Sequence, residues 1–195
     1  MPWQANFIQL SPTSVKFDIR NYPANFPLFI QVDKGHNLST FASIGNLEWS
    51  TYVGGNVEDQ FLDVKTDNIG NVYATGFTAS NTFPQFGGYQ TSNVTGDYDA
   101  VIAKFDSSGQ RKYATYFGST TAYEEGRSIE VYPNGDMIIC GHTTAAGTAL
   151  PTKKSTGINS YYQNSSGGSW DGFICKLKST GDSLRWSTYL GGSPP

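Results

Sequence analysis

The chain has 195 residues and a net charge of −3, from 13 basic and 16 acidic side chains. This mild acidity argues against duplex nucleic acid as the main partner, because proteins that bind it usually present a basic face. Glycine (22), proline (9) and aromatic residues (14%) are frequent while charged residues make up only 15%, which favours an extracellular, all-β protein. No apolar run approaches the ~20 residues of a membrane-spanning helix, and the first residues lack the features of a signal peptide.

An internal repeat organises the chain. The seven-residue segments Trp49–Gly55 and Trp186–Gly192 agree at six of seven positions, and Tyr113–Ser119 is a looser copy. Self-similarity at a near-constant period is typical of repeat architectures. We therefore divide the chain into an N-terminal β segment, a first repeat with a leading outer strand over Glu48–Val53, and a second repeat; their ranges are 1–45, 46–118 and 119–195.

Each repeat is predicted to contain four strands joined by tight glycine-containing turns. In the first repeat the strands are Phe61–Asp67, Asn71–Thr75, Asp99–Phe105 and Lys112–Phe117. In the second they are Ser128–Tyr132, Asp136–Cys140, Asp171–Leu177 and Arg185–Leu190. Long polar loops, residues 77–98 and 142–170, separate the second strand from the third.

Four antiparallel strands with tight turns and no helix are typical of a β-propeller blade. A β-solenoid is the alternative, but its strands pair in parallel between coils, which the tight hairpins disfavour. The predicted fold is all-β, with two four-stranded antiparallel propeller-like blades behind an irregular β segment. Because two blades cannot close a ring of four to eight, we expect a fragment of a longer protein or a truncated copy, with end strands that invite association.

The repeats resemble those of the bacterial SBBP family, the seven-bladed β-propeller repeat. The resemblance rests on Trp49–Gly55, Gly70–Gly76, Phe83-Pro84, Asp99–Lys104 and Trp186–Gly192. The second repeat departs from the pattern, with Leu-Pro in place of Phe-Pro at 150–151. The resemblance implies a secreted or surface-attached bacterial protein, extracellular in location, with no common enzymatic activity.

Repeated acids have two interpretations. Asp59 and Glu124 precede the first strand of each repeat and are flanked by Glu58 and Glu125; these acids could hold Ca²⁺ or sugar hydroxyls. We favour local turn hydrogen bonds instead, because Ca²⁺ needs 6–8 oxygen ligands and the sequence contains no recognisable Ca²⁺-binding loop. A pair of acids opens both third strands, and we expect them to bind backbone N–H groups there. These two acids are Asp99 and Asp171.

No catalytic residue, metal site or cofactor is predicted. His36 and His142 are the only histidines, and Phe77 aligns with His142, so no histidine site repeats. Neither a G-x-S-x-G elbow nor an H-E-x-x-H motif occurs. The predicted neighbours Cys140 and Cys175 could form a cross-strand disulfide in a secreted protein, although we favour two free thiols.

Aromatic residues that recur by position, such as Trp49 and Tyr189, are expected to pack between blades. Aromatics in the long loops are better ligand candidates, because loops on a rigid scaffold often carry function. The candidate binding residues are Phe86, Tyr89, Tyr161, Tyr162 and Trp170. Tyr89-Gln90 and Tyr162-Gln163 match between the repeats, which hints at a structural role instead.

The predicted function is a non-catalytic secreted or cell-surface scaffold that binds a protein or a glycan through shape and loop contacts. Further blades, from a parent chain or from self-association, are expected partners; nucleic acid and membrane insertion are not. One alternative is a carbohydrate-active propeller enzyme, which would cluster a pair of acids over an aromatic floor. The other is a purely structural spacer with smooth loops.

Overall fold

The computed structural model describes residues 4–11, 14–20, 49–92, 98–120 and 122–192. These residues form ten β-strands and no helix. The chain divides into two compact units, Met1–Leu47 and Glu48–Pro195. In the first unit, β1 (Gln4–Ser11) and β2 (Ser14–Arg20) pair as an antiparallel hairpin with a bulge near Gln9. The remainder of this predicted segment, including Phe26–Ile30, lies outside the described residues.

The second unit consists of two four-stranded antiparallel sheets, each with its strands in chain order. The first blade contains β3 (Asp59–Thr66), β4 (Val72–Thr78), β5 (Asp99–Phe105) and β6 (Arg111–Phe117). The second contains β7 (Glu124–Val131), β8 (Met137–Thr143), β9 (Asp171–Leu177) and β10 (Leu184–Leu190). Neither sheet closes into a barrel, and the prediction of an all-β fold with two propeller-like blades is confirmed.

The inner strands β3 and β7 begin earlier than the sequence predicted. In both, a register shift lies near the middle of the strand, between Phe61 and Asp63 and between Gly126 and Ser128. Pairing continues beyond this bulge as far as Asp59 and Glu124. A bulge breaks the alternation of side chains, so a period-two pattern detects only the part of the strand that follows it.

The leading outer strand predicted at Glu48–Val53 is not formed over its described residues, 49–53. Trp49 instead packs its ring 5.8 Å from that of Phe105, and its indole N–H donates to the backbone oxygen of Ser107 at 3.1 Å. The segment therefore covers the first blade through side-chain packing, although its sequence matches that of the true outer strand β10.

The predicted glycine turns are formed at equivalent places in both blades. Gly70 and Gly135 adopt φ of +81° and +80°, a left-handed conformation that favours glycine. In the first turn, the Gly70 amide donates to the Asp67 carbonyl at 3.1 Å, and the Asp67 carboxylate accepts the Ile69 amide at 3.1 Å. The short loops thereby fix the register of the strands that they join.

The main hydrophobic core lies between the two blades. Tyr73, Ile102 and Phe117 of the first blade are fully buried in the same cluster as Ile139 and Phe173 of the second. The rings of Phe117 and Phe173 lie 5.4 Å apart. The blades therefore stabilise each other through this shared cluster, as neighbouring repeats do in other repeat proteins.

A carboxylate also connects the inner strands of the two blades. Asp63 of β3 accepts the Ser128 hydroxyl at 2.8 Å and the Ile129 amide at 3.0 Å, both from β7. Burial acts to raise the pKa of Asp63, but these hydrogen bonds outweigh it and hold that pKa below its usual 3.8. Asp63 therefore stabilises the contact between the blades fully at pH values above its usual pKa of 3.8. This contribution is lost as the pH falls through the lowered pKa of the folded state.

Cys140 and Cys175 are free thiols, as favoured from the sequence. Cys140 is paired with Ile174 and Ile139 with Cys175, so the two cysteines sit on opposite faces of the sheet. A disulfide between them is excluded because adjacent residue pairs of a sheet point to opposite sides. Cys140 is exposed, whereas Cys175 is fully buried.

We expect the native protein to react with a thiol reagent at one cysteine and the unfolded protein at two. Burial raises the pKa of Cys175 far above its usual value, and the thiolate is the reactive form. Labelling of dilute protein with an aromatic disulfide reagent, with and without denaturant, measures both numbers. Cys140→Ser should abolish the native reaction; rapid native labelling in that variant would contradict the burial of Cys175.

Candidate functional site

The five loop aromatics do not form one site. Phe86 and Tyr89 lie beside the first blade's outer strand, where the Phe86 amide pairs with the Ala114 carbonyl at 2.9 Å and the Tyr89 ring lies 6.5 Å from that of Phe117. Tyr161 and Tyr162 lie in the second long loop. Tyr161 donates its hydroxyl to Gln163 at 2.7 Å, and Tyr162 to Thr152 at 3.3 Å.

The matched pairs of the two long loops dock those loops onto the outer strands. The backbone amides of Gln90 and Gln163 donate to the hydroxyls of Thr115 and Thr188 at 2.9 and 2.8 Å. Their carbonyls accept the amides of the following tyrosines of β6 and β10, both at 3.1 Å. The repetition of Tyr-Gln in the sequence thus reflects loop anchoring.

An open cavity of about 370 Å³ lies where the two blades meet. Tyr89 and Gln90 line one side and Ala149 and Pro151 the other. The side-chain oxygen of Gln90 is already occupied, since it accepts the Gly118 amide at 3.1 Å. The cavity is shallow, and its lining offers little chemistry for a ligand.

The fifth loop residue, Trp170, belongs to a different cluster. Its ring lies 4.9 Å from His142 and 5.6 Å from Tyr123, and Tyr123 lies 4.8 Å from Tyr98. Trp170 is 59% exposed and the other three are partly exposed. We call these four residues, Tyr98, Tyr123, His142 and Trp170, the aromatic rim.

The aromatic rim arises from the repeat. In each blade, the residue before the third strand packs edge-on against the residue near the end of the second: Tyr98 on Phe77 at 5.1 Å and 70°, and Trp170 on His142 at 4.9 Å and 61°. The ring of Tyr123, at the entry to β7, lies between the two pairs. Adjacent blades therefore build one continuous row of rings.

Polar groups flank the aromatic rim. Tyr123 donates its hydroxyl to Glu125, whose Oε2 lies 2.6 Å from the Arg127 guanidinium and 3.8 Å from His142 Nε2. This oxygen is buried, and the ion pair with Arg127 is its partner although no well-oriented hydrogen bond reaches it. At the other end, Tyr98 donates to Glu58 at 2.8 Å.

The rings of the aromatic rim are uncharged at neutral pH. Burial lowers the pKa of His142 below 6.5, with Arg127 acting in the same direction and Glu125 opposing it. Burial and the hydrogen bond to Glu125 raise the pKa of Tyr123 to about 12. The site thus combines neutral ring surfaces with one carboxylate–guanidinium pair.

The repeated acids serve the fold. Asp59 accepts the Ser80 hydroxyl at 2.9 Å and the Gly55 amide at 2.7 Å. The equivalent Glu124 accepts hydroxyls from Ser119 and Thr143, both at 2.9 Å. Asp171 accepts the amides of Gly167 and Gly168 at 2.6 and 3.3 Å, the interaction with backbone N–H groups expected at a strand entry. Asp99 is buried at the matching position.

Sequence reasoning selected Trp170 but missed the other members of the aromatic rim. The signal was available for Tyr98, which aligns with Trp170, and for the pairing of Phe77 with His142. Tyr123 and Arg127 have no aromatic or basic counterparts in the first repeat, so repetition could not point to them. Across the described residues, no group of three His, Cys, Asp or Glu side chains could hold a metal ion.

Comparisons with known proteins give no family assignment. No family model matches the sequence, and no curated protein matches it. The resemblance to SBBP repeats therefore stays an expectation from the sequence motifs. A search of the described residues for a helix long and apolar enough to cross a membrane found none.

Proposed function

We propose that this chain is a non-catalytic, secreted or cell-surface repeat module that binds a glycan through the aromatic rim. The observation that carries the proposal is the exposed face of Trp170, held by Tyr123 and His142 beside the Glu125–Arg127 pair. An exposed indole fixed by its neighbours presents a large contact surface without losing conformational entropy on binding.

The arrangement of the rings favours a saccharide over an organic cation. An aromatic cage for a quaternary ammonium group needs separated rings that surround the cation. Here successive rings touch, with centroids 4.8 to 5.6 Å apart, and form a surface. Such a surface, flanked by a carboxylate and a guanidinium that can exchange hydrogen bonds with hydroxyls, fits a linear neutral oligosaccharide.

The acids near the aromatic rim support binding without hydrolysis. A glycosidase needs one carboxyl group as acid and a second as base or nucleophile. Glu125 is ion-paired with Arg127 and accepts the Tyr123 hydroxyl. Glu58 accepts hydrogen bonds from Tyr98 and from the Gln60 side chain, the latter at 3.0 Å. Both carboxylates thus act as fixed acceptors that orient the rings.

The proposed location follows from the few charges and many aromatic residues of the chain and from its resemblance to secreted repeats. On that basis the aromatic rim would face the extracellular medium. A protein ligand, rather than a glycan, would be expected to need a larger complementary surface, since stable protein interfaces bury about 1,600 Å² in total.

We expect the chain to bind at least one of cellohexaose, maltohexaose and chitohexaose in calorimetry, with quenching of Trp170 fluorescence. Trp170→Ala should weaken binding about tenfold or more, because the lost ring contact contributes on the order of 1–2 kcal/mol. Trp170→Phe should retain part of the affinity. Tyr161→Ala, which removes a ring of similar exposure (61%) elsewhere, should leave it unchanged.

Three outcomes would overturn the proposal. If none of the three oligosaccharides binds, a glycan is excluded as the ligand. If binding is unaffected by Trp170→Ala, the aromatic rim is excluded as the binding site. If chromatography of the products shows that a bound oligosaccharide is hydrolysed, the chain is a carbohydrate-active enzyme and not a binding module.

A further inference from the structure

The outer face of the second blade, which we call the open face, is not covered by another sheet of the described residues, whereas the same face of the first blade is. The open face comprises the side chains of Ile138, Cys140, Ile174, Trp186 and Leu190, with Gly172 among them. Each aligns with a first-blade residue in the same strand position. These counterparts are Tyr73, Thr75, Ile102, Tyr113, Phe117 and Ala100.

Burial separates the two sets. All six first-blade residues are between 0% and 2% exposed. In the second blade Leu190 is 61% exposed, Cys140 is exposed, and Ile138, Ile174 and Trp186 are partly exposed. The same sheet positions thus carry mostly apolar side chains in both blades, but among the described residues only those of the first blade have a neighbour over them. Exposed contiguous apolar surface of this kind marks an interaction site.

Another blade stacked in the same manner is not the best occupant. In the first blade the covering strand β7 is held by Asp63, which accepts the Ser128 hydroxyl and the Ile129 amide. The residue that aligns with Asp63 in the second blade is Ser128 itself. The open face therefore lacks the carboxylate that binds a following inner strand, and its own Ser128 hydroxyl is already donated to Asp63.

Head-to-tail association with a second copy is also disfavoured. It would require the opposite face of that copy's first blade. Val101, Ala103 and Tyr116 on that face are buried to 1%, 0% and 1% exposure, in one cluster with Phe83 and packed against by Trp49. Because the chain already covers this face itself, the apolar surface that a second copy presents is its own open face.

We propose that the open face binds the open face of a second copy of this chain, giving a twofold-symmetric dimer. Isologous contacts are the commonest way for identical chains to associate, and two sheets stack readily face to face at about 10 Å. Gly172, near the start of β9, has no side chain to hold the two sheets apart. Of the charged side chains around the face, Lys176 pairs with Asp136 at 3.7 Å and Glu125 with Arg127 at 2.6 Å, while Glu130, opposite Ile138, lies on the edge strand β7.

The dimer is compatible with ligand binding at the aromatic rim but does not depend on it. Tyr98 is the first-blade counterpart of Trp170, and it stays partly exposed although the sheet face beside it is covered. Trp170 would likewise keep part of its surface accessible. Failure of saccharide binding would therefore not contradict the proposed dimer, and a monomeric chain would not contradict saccharide binding at the aromatic rim.

Light scattering on the purified full chain tests the proposal. We expect twice the chain mass at high concentration and dissociation on dilution. Ile174→Glu should give a monomer at every concentration, because it places two carboxylates in the apolar contact. Ile158→Glu is the matched control, since Ile158 is 95% exposed in the second long loop; it should remain dimeric. Circular dichroism of both variants reports whether the fold is intact.

Cross-linking of the unmutated protein tests the same contact without relying on Ile174→Glu. A short bismaleimide should join two chains through Cys140, the exposed thiol of the open face. Cys140→Ser should abolish the cross-linked dimer, and Cys175→Ser should not. The proposal would be overturned if the chain is a monomer at the highest soluble concentration. It would also be overturned by a dimer that is neither cross-linked through Cys140 nor dissociated by Ile174→Glu.

Discussion

Phe117→Ala is expected to lower the free energy of unfolding by about 3–5 kcal/mol, the range for removing a buried phenylalanine side chain. Phe117 is fully buried and its ring packs 5.4 Å from Phe173 of the other blade. The loss combines apolar burial with a cavity between two sheets whose backbones are fixed by their own ladders, so the site collapses little. Urea unfolding followed by circular dichroism measures the change.

The repeat provides the matched control for this prediction. Leu190 occupies the position of Phe117 in the second blade and is 61% exposed. Leu190→Ala should change the free energy of unfolding by less than about 0.5 kcal/mol, as surface substitutions usually do. Both variants should be measured in the Ile174→Glu background, so that self-association through the open face does not contribute. Equal losses at the two positions would contradict the placement of the core between the blades.

The repetitive part of the fold was predictable because its signals are local. The third strands, Asp99–Phe105 and Asp171–Leu177, were predicted with the bounds that the structure has. They are flanked by an acid that binds backbone groups and by a glycine turn, both of which are visible in the sequence. The first strands were cut short because a bulge interrupts the alternation of their side chains.

The failures came from contacts between distant residues. Residues 49–53 match an outer strand in sequence but are not in a strand in the structure. A strand needs a partner ladder as well as a suitable sequence, and a motif alone does not show whether that partner exists. The two free thiols at Cys140 and Cys175 were predicted correctly, but their positions on opposite faces follow from register, which a one-residue error in alignment would reverse.

The candidate site was the least predictable feature. Trp170 was selected because it is a loop aromatic, together with four others that lie elsewhere. What distinguishes it is the support from Tyr123 and His142, which depends on how the entry to β7, the end of β8 and the loop before β9 meet within the second blade. A sequence pattern cannot report a cluster that forms only when separate segments of the folded chain meet.

Gly141→Ala is expected to lower the free energy of unfolding by about 3 kcal/mol, the upper end of the range for over-packed sites. A Cβ at Gly141 would lie 1.8 Å from the backbone oxygen of Glu125, which is part of the neighbouring strand β7. A backbone atom cannot rotate away as a side chain can, so β7 and β8 must separate beside the bulge. Gly192→Ala is the control, because a Cβ there meets nothing within 4 Å, and it should be nearly neutral.

The same substitution should weaken saccharide binding in molecules that remain folded. The strand displaced by Gly141→Ala carries Glu125, and the next residue after the substitution is His142, so both the carboxylate that flanks the aromatic rim and the ring that packs on Trp170 move. Gly76→Ala, which places a Cβ 1.8 Å from the backbone oxygen of Gln60 in the first blade, should destabilise the fold comparably but displace Phe77 and the Tyr98 end of the aromatic rim, leaving Trp170 and its neighbours in place. Equal binding losses in the two folded variants would mean that the affinity follows overall stability and not the local geometry of the aromatic rim.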